Sequence, residues 1–421
     1  MKEVGSACPV DPEASVLLHC GPWKGLREEQ VQVELSNRYN RRTVAEVEQH
    51  IEEVWAERIT QKPWLFNGAK FRLFSASLVP SPSCSTLGGA GNTSHWGCNV
   101  RRGGGDAAPM EGCKIGGWRE EGCRGSGEVE GGEEVPMRWE VVGQKMQCPP
   151  RDARFPTHTE GRASAVPPLY EGGGYASVNC SCRQRGVGAT LLTLQLGLTC
   201  YKDFLGTNWS RRVGALMARG EAEFGDTQAL LAQPLGVGGV LRTSDGLIVL
   251  LRRSQKVAEA PGLLDIPGGH PEPKAVCQGV SEDCIRVEQL AERAVVRELF
   301  SSVSAEIRDE VNIPLSSLSE PVLLGIALNH TSAGRPSAEF YISCSLSSKE
   351  VKDFYWQGGP EAHESTDIVF LSQEEVMQLD ESASLWTELC PSAKGAVMLY
   401  RLVLPDKDEE GMCSVTNAKS I

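Results

Sequence analysis

The sequence predicts an α/β protein: an α/β/α sandwich around one sheet, preceded by a smaller α+β domain that a glycine- and cysteine-rich insertion interrupts. Three observations carry this prediction. From residue 235 onward, short apolar runs bounded by turn residues are interspersed with helical patterns. Two strand-like segments, near residues 70 and 190, flank a long stretch without periodicity. Strands in mixed order with two long helices favour helices packed on both faces of one sheet.

The bulk properties limit the classes of function. The 421 residues carry a formal net charge of -13, and no Lys/Arg cluster stands out, so we expect no nucleic-acid partner. The first twenty residues lack a secretory signal, and no apolar run is long enough to span a bilayer. We therefore expect an intracellular protein of the cytoplasm, or also of the nucleus, that is not secreted and not in a membrane. Its fifteen cysteines are expected to be reduced thiols. The oligomeric state stays open.

The N-terminal domain is expected in two pieces, residues 1–78 and 187–234. Apolar spacing predicts a helix over 43–59, strands over 70–78 and 189–199, and a short helix over 211–219. If the insertion is set aside, the two strands become neighbours, which suits a hairpin.

The predicted insertion covers residues 79–186. About a fifth of it is glycine, and it holds seven of the fifteen cysteines. Such a segment buries too little apolar surface to offset an ordering entropy of roughly 1–2 kcal/mol per residue. We expect it to be disordered, and likewise the tail over 405–421.

The C-terminal domain is expected over residues 235–404. Ser244-Asp245-Gly246 between two apolar runs predicts a hairpin turn. Gly238-Gly239 inside the first strand indicates either a bulge or a close approach. The predicted strands are 237–242, 247–252, 322–328, 339–345 and 368–371, and the predicted helices are 290–311 and 392–402.

Two signals in this domain carry chemistry. Gly268-Gly269 follows a short apolar run and permits a sharp turn with close approach to a ligand. Glu306 and Glu310 lie one helical turn apart and border an apolar stripe, so they lean toward the core. Like charges at this spacing repel each other, and a divalent cation would remove that penalty. Alone, such a pair is usually a solvated helix face; the glycine turn favours a metal site.

Together, these signals resemble the Nudix box of the Nudix hydrolases, whose helix binds Mg²⁺ and whose chemistry cleaves nucleoside diphosphates linked to another moiety. Glu306 and Glu310 fall on its acidic positions, as does Asp309. Ala305 replaces the usual arginine, Asn312 the usual glycine, and the box is more than twenty residues longer than usual. A competing register at Arg297-Glu298-Leu299 is followed by serines where acids are required.

A closer resemblance, nearly end to end apart from the insertion, is to the vertebrate UDP-glucose/UDP-galactose diphosphatase branch, known for a long box and an altered arginine. The segments that carry it are PWLF (63–66), YKDFLGTNW (201–209), DIPGGHPE (265–272), GGPEAHES (358–365) and ELCPSAKG (388–395). It implies a substrate pocket shared by both domains. The substrate residues that it implies are Phe66, Tyr201, Arg253, Ala258, Asp265, His270, Glu272 and Ser392. It also implies that Arg253 meets the diphosphate and that Glu306 and Glu310 are catalytic metal ligands.

The loop over 358–364 resembles the late Nudix loop that often supplies an extra carboxylate. Glu364 is the candidate there for a further metal ligand or general base, and Glu339 is a weaker rival. The resemblance implies Mg²⁺-dependent hydrolysis of a small-molecule nucleotide sugar, UDP-glucose or UDP-galactose, to UMP and hexose 1-phosphate. Three alternatives stay open: a Nudix hydrolase of ADP-ribose or a related nucleotide, a UDP-sugar-binding module without catalysis, and a form that the insertion disables.

Overall fold

The computed structural model describes residues 11–79 and 190–405. These residues belong to one compact unit. The predicted disordered insertion and tail lie outside the described residues, apart from Val79 and Pro405. None of the described helices is long and apolar enough to cross a membrane.

The described strands are β1 (Ala14–His19), β2 (Val31–Leu35), β3 (Ala69–Leu78), β4 (Leu192–Cys200), β5 (Gly236–Arg242), β6 (Leu247–Arg253), β7 (Leu264–Asp265), β8 (Gly268–Gly269), β9 (Val322–Asn329), β10 (Arg335–Ser343) and β11 (Ser365–Ser372). The described α-helices are α1 (Ala45–Gln61), α2 (Tyr201–Gly206), α3 (Val213–Phe224), α4 (Pro273–Val276), α5 (Glu292–Val311), α6 (Ser348–Gln357), α7 (Gln373–Gln378), α8 (Ser384–Glu388) and α9 (Pro391–Val403).

The larger sheet has the order β1-β9-β10-β5-β6-β11, with β7 paired to β6 and β8 paired to β5. The β10–β5 pair is parallel. Successive residues of a strand point to opposite faces, and here both faces are apolar. On β6, Val249 and Leu251 pack into the core that contains α5, whereas Ile248 and Leu250 pack into the core that contains α9. The predicted α/β/α sandwich is therefore confirmed.

The smaller sheet has the order β2-β4-β3. The antiparallel pairing of β3 with β4 confirms the predicted hairpin, in which Leu78 lies opposite Leu192. This sheet shares a core with α5, because Val31 and Val33 of β2 belong to the same cluster as Val295 of the helix. The helix is thus covered on both sides, by the larger sheet and by the smaller one.

Several elements differ from the sequence-based expectation. Strand β1 was not predicted; it pairs with β9 at the edge of the larger sheet although it comes from the N-terminal segment. Helix α6 was also not predicted, and it begins with a capping box in which Ser347 and Glu350 bond reciprocally. The register between β5 and β10 is continuous, so the Gly238-Gly239 pair is a close approach and no bulge. The division of the chain at residue 235 stays a prediction.

Candidate active site

The turn at Gly268-Gly269 is hydrogen-bonded to Glu306 and Glu310 of helix α5, which is called the box helix below. The backbone N–H of Gly268 donates to Oε2 of Glu310 at 2.9 Å, and that of His270 donates to Oε1 of Glu306 at 3.3 Å. A Cβ atom added at Gly269 would lie 2.1 Å from Oε1 of Glu306. Glycine is therefore required at 269 for the carboxylate to approach the turn this closely.

Helix α5 holds the glutamates in place through its apolar stripe. Val303 and Ile307 of this stripe are fully buried, and Glu310 beside them is buried as well. The helix ends at Asn312, which adopts the left-handed conformation with φ 63° and donates its side-chain amide to the carbonyl of Phe354 at 2.9 Å. The substitution of the usual box glycine by asparagine thus keeps the turn and adds a contact.

The loop after α6 brings two further carboxylates to Glu310. Carboxylate oxygens of Glu310, Glu361 and Glu364 all lie within 4.8 Å of one another. The loop is attached to the box helix by the N–H of Glu361, which donates to the carbonyl of Asp309 at 3.2 Å. It is attached to β6 by the N–H of Ser254, which donates to the carbonyl of Glu364 at 2.7 Å. Helix and loop therefore form one acidic cluster.

Burial makes this cluster costly when it is ionised. Burial raises the pKa of Glu310 well above its ordinary value, and the charge of Glu306 adds to the rise. Burial also raises the pKa of Glu306 to about 7, and nearby Glu361 contributes. A divalent cation would offset both effects, and hard carboxylate oxygens on more than one segment are the ligands that Mg²⁺ takes. The donor set therefore fits a divalent cation.

The competing register is also accounted for. Glu298 accepts a hydrogen bond from the N–H of Glu272 at 3.1 Å, and Glu272 lies further along the loop than the glycine turn.

The other acidic residues of the box region differ in their contacts. Asp309, the acidic box residue between Glu306 and Glu310, forms an ion pair with its neighbour Arg308 at 2.5 Å. Glu361, which sequence reasoning did not select, joins Glu310 in the tight group, whereas Glu306 lies outside that group. The assignment of Glu306 as a metal ligand stays a prediction.

Two adjoining cavities meet beside this cluster. The larger has a volume of about 990 Å³ and is lined by residues of both predicted domains. The smaller has a volume of about 200 Å³ and lies between β5, β9, β10 and the beginning of α9. Glu364 lines both cavities, so the acidic cluster borders them through this residue.

The cavities contain all eight substrate residues expected from the sequence. Those that line the larger cavity are Phe66, Tyr201, Arg253, Ala258, His270 and Glu272. Asp265 and Ser392 line the smaller cavity, and Arg253 and His270 line it as well. Their roles toward a substrate stay predictions.

Hydrogen bonds preorganise several of these side chains. Arg253 forms an ion pair with Asp265 at 3.0 Å, and Asp265 also accepts the hydroxyl of Ser392 at 3.0 Å. Burial and the charges of Lys70 and Arg335 lower the pKa of His270 well below its ordinary value. A neutral imidazole at pH 7 can both donate and accept a hydrogen bond.

Arg335 and Glu259 are site residues that sequence reasoning missed. The guanidinium of Arg335 binds both oxygens of Glu259, at 3.0 and 3.1 Å, and its Cζ lies 5.7 Å from the ring centroid of Phe204. The predicted strand began at Glu339, four residues too late. Alternation over Arg335, Ser337 and Glu339 was the signal that could have extended it.

A sheet between two helices, with a glycine turn bonded to two glutamates of one helix, is the arrangement expected for the Nudix class. No protein-family model matches the chain. Among solved structures, the chain is similar to a MutT protein from Methanosarcina mazei Go1, with 17% identity and a TM-score of 0.25 over 41% of this chain and 94% of that one. It is also similar to the NUDIX domain of Shewanella oneidensis NrtR, with 18% identity and a TM-score of 0.25 over 44% and 97%.

Several curated proteins have a much higher sequence identity to this chain than these solved structures do. The chain is 41% identical over 394 residues to the uridine diphosphate glucose pyrophosphatase NUDT22 of Homo sapiens, and this match covers 94% of each protein. It is 41% identical over 391 residues to that of Mus musculus, spanning 93% of this chain and 91% of the relative. It is 35% identical to Nudix hydrolase 9 of Arabidopsis thaliana over 50% of this chain. The chain therefore belongs to the uridine diphosphate glucose pyrophosphatase family of Nudix hydrolases.

Proposed function

We propose that this protein hydrolyses UDP-glucose and UDP-galactose to UMP and hexose 1-phosphate with Mg²⁺ as the cofactor. The observation that carries the proposal is the carboxylate group of Glu310, Glu361 and Glu364, of which Glu364 lines both of two unequal cavities. A nucleoside diphosphate sugar has a base at one end, a hexose at the other and its scissile bond between them. Relatives named uridine diphosphate glucose pyrophosphatase support uridine as the nucleoside.

Glu310 and Glu361, with Glu306 as the box resemblance implies, would hold the cation, which when bound would offset the diphosphate charge and make water a better nucleophile. In the reaction, the oxygen of water bonds to one phosphorus while the bridging phosphorus–oxygen bond breaks, and one proton is released. Glu364 is the proposed acceptor of that proton, because it belongs to the carboxylate group and faces both cavities.

The remaining site residues would bind and orient the substrate. Arg253, fixed by Asp265, would direct its guanidinium to the diphosphate, whose geometry a planar fork matches. Phe66 and Tyr201 would contact the base from the N-terminal side, and the ring of Tyr201 is already stacked on Phe204 with centroids 6.4 Å apart.

A panel of substrates tests this proposal. Purified full-length protein is incubated with Mg²⁺ and UDP-glucose, UDP-galactose, GDP-mannose, ADP-glucose or ADP-ribose, and the nucleoside monophosphate formed is quantified by chromatography. We expect UMP from both UDP-hexoses at rates far above the AMP and GMP formed. Faster AMP release from ADP-ribose would favour an ADP-ribose hydrolase instead. Thermal stabilisation by UDP-glucose without Mg²⁺-dependent UMP release would favour a binding module.

A further inference from the structure

Glu339 is a buried carboxylate in the smaller cavity. The residue is 0% exposed, and neither of its carboxylate oxygens has a hydrogen-bond partner of ordinary geometry among the described residues, although the hydroxyl of Ser337 is near enough to lower its pKa. Leaving such a polar group buried and unpaired is costly, and it is rare in native proteins. An unpaired group of this kind that faces a cavity suggests a missing polar ligand.

Glycines on the neighbouring strand make the space beside Glu339. In the parallel register of β5 and β10, Gly238 lies next to Glu339 and Gly236 lies next to Ser337. A Cβ atom at Gly238 would lie 2.3 Å from Oε2 of Glu339, and one at Gly236 would lie 3.3 Å from the hydroxyl of Ser337. The absence of side chains at Gly236 and Gly238 therefore leaves room for the polar residues of β10.

The sizes and linings of the two cavities assign the two ends of the substrate. Pockets for drug-sized ligands are roughly 300–1,000 Å³, so the smaller cavity of about 200 Å³ suits a single ring. No Phe, Tyr or Trp is among the described residues that line it; aliphatic side chains line it together with carboxyl, hydroxyl, amide, guanidinium and imidazole groups. The larger cavity has aromatic side chains, on which a base can stack. The smaller cavity therefore suits a polyhydroxylated ring.

We propose that Glu339 is a specificity-determining residue that hydrogen-bonds hydroxyl groups of the hexose in the smaller cavity. This proposal rests on the proposed function, because it takes a UDP-hexose as the ligand. Asp265 and Ser392 line the same cavity and would bind other hydroxyls of the ring.

The protonation of Glu339 is consistent with this role. Burial raises the pKa of Glu339 to about 8; the Ser337 hydroxyl opposes this rise, and the charge of Asp265 adds to it. A carboxyl that keeps its proton at neutral pH can donate one hydrogen bond and accept another. A sugar hydroxyl also does both, so the two groups match.

The variants Glu339→Leu and Glu339→Gln test the proposal, with Ile342→Val as the control. Leucine removes both hydrogen bonds at similar volume, whereas the amide of glutamine still donates and accepts. Ile342 is a buried residue of the same strand that faces the opposite core. Two quantities are measured for each protein: KM for UDP-glucose with Mg²⁺, and the rise in Tm caused by UDP-glucose or by UMP in the presence of EDTA, where the substrate is not turned over.

We expect Glu339→Leu to raise KM for UDP-glucose about tenfold, which corresponds to about 1.4 kcal/mol, the upper range for one neutral hydrogen bond. Its Tm shift with UDP-glucose should shrink while that with UMP stays unchanged. Its Tm without ligand should equal or exceed that of the wild type, because an unpaired buried carboxyl has been removed. Glu339→Gln and Ile342→Val should keep KM within about threefold.

An unchanged KM and Tm shift for Glu339→Leu would overturn the proposal. An equal loss of the UDP-glucose and UMP shifts would also overturn it, because Glu339 would then act on the UMP part of the substrate. A loss in Glu339→Gln as large as in Glu339→Leu would overturn the neutral hydrogen bond. If the wild type releases no UMP, the proposed function fails, and the Tm shifts still decide whether Glu339 contacts the hexose.

Discussion

Replacement of Gly269 by alanine is expected to lower catalytic activity while leaving the stability of the fold nearly unchanged. The added Cβ atom would lie 2.1 Å from Oε1 of Glu306, and ordinary contact begins at 3.4 Å. The carboxylate must therefore move by about 1.3 Å, the difference between these distances. Because it is the far end of a flexible side chain, it can move away without displacing the backbone.

A displacement of about 1 Å at a catalytic group costs on the order of 100-fold in rate. We therefore expect Gly269→Ala to lower kcat/KM for UDP-glucose about 100-fold, or about 2.7 kcal/mol of transition-state stabilisation. The free energy of unfolding should change by less than about 1 kcal/mol. Steady-state release of UMP and urea unfolding measure the two quantities.

Two other glycines are matched controls. At Gly268 the added Cβ atom would lie 2.5 Å from the backbone carbonyl of Val237, so Gly268→Ala should destabilise the fold itself. At Gly214, in helix α3, it would meet nothing within 4 Å, so Gly214→Ala should stabilise the helix by roughly 0.5–1 kcal/mol and leave turnover unchanged. Wild-type kcat/KM in Gly269→Ala would refute the reasoning, and so would a loss of activity matched by unfolding.

Three further predictions address the pocket, the buried acid and the insertion. Phe66→Ala should raise KM for UDP-glucose by about 5- to 160-fold with little effect on stability, because Phe66 lines the larger cavity, is 68% exposed and would lose a stacking contact of roughly 1–3 kcal/mol. An unchanged KM would remove it from the site. Since the folded pKa of Glu339 is raised from 4.5 to about 8, its contribution to stability is present below pH 4.5 and is lost as the pH rises toward 8. Denaturant titrations at several pH values measure the free energy of unfolding of the wild type and of Glu339→Leu. Over this pH window, that of the wild type should fall by up to about 5 kcal/mol more than that of the variant. Equal pH dependence in the two proteins would contradict the raised pKa. Replacement of residues 81–188 by a short Asn-Gly turn should keep kcat/KM within about twofold. The ends of the hairpin already lie together, because the N–H of Val79 donates to the carbonyl of Leu191 at 2.8 Å. A large loss of activity would show that the insertion contributes to the enzyme.

The helix–turn part of the site was predictable from the sequence. Period and turn chemistry located α5, and the Gly268-Gly269 pair indicated a close approach, because both signals are local. The hairpin of β3 and β4 was also predictable, although more than a hundred residues separate its strands, since each has its own alternating pattern.

Long-range partners were not predictable by the same route. Glu361 joins Glu310 only because the loop after α6 folds back onto the end of α5. Strand β1 lies at the edge of the larger sheet through pairing with β9, a choice that no local pattern encodes. The position of the Glu339 carboxylate depends on the missing side chain at Gly238, on a different strand. Such features arise from tertiary packing and need coordinates.

The central claim is that the glutamates of the box helix serve hydrolysis of UDP-hexoses. Its most direct test is UMP release from UDP-glucose with Mg²⁺ by the wild type and by the double variant Glu306→Gln/Glu310→Gln, with circular dichroism to verify the fold. Glutamine has the same shape and relieves a buried charge pair, so the variant should remain folded. We expect UMP and glucose 1-phosphate from the wild type and a loss of at least about 1,000-fold in the variant. Release of UMP by the double variant at the wild-type rate would contradict the account.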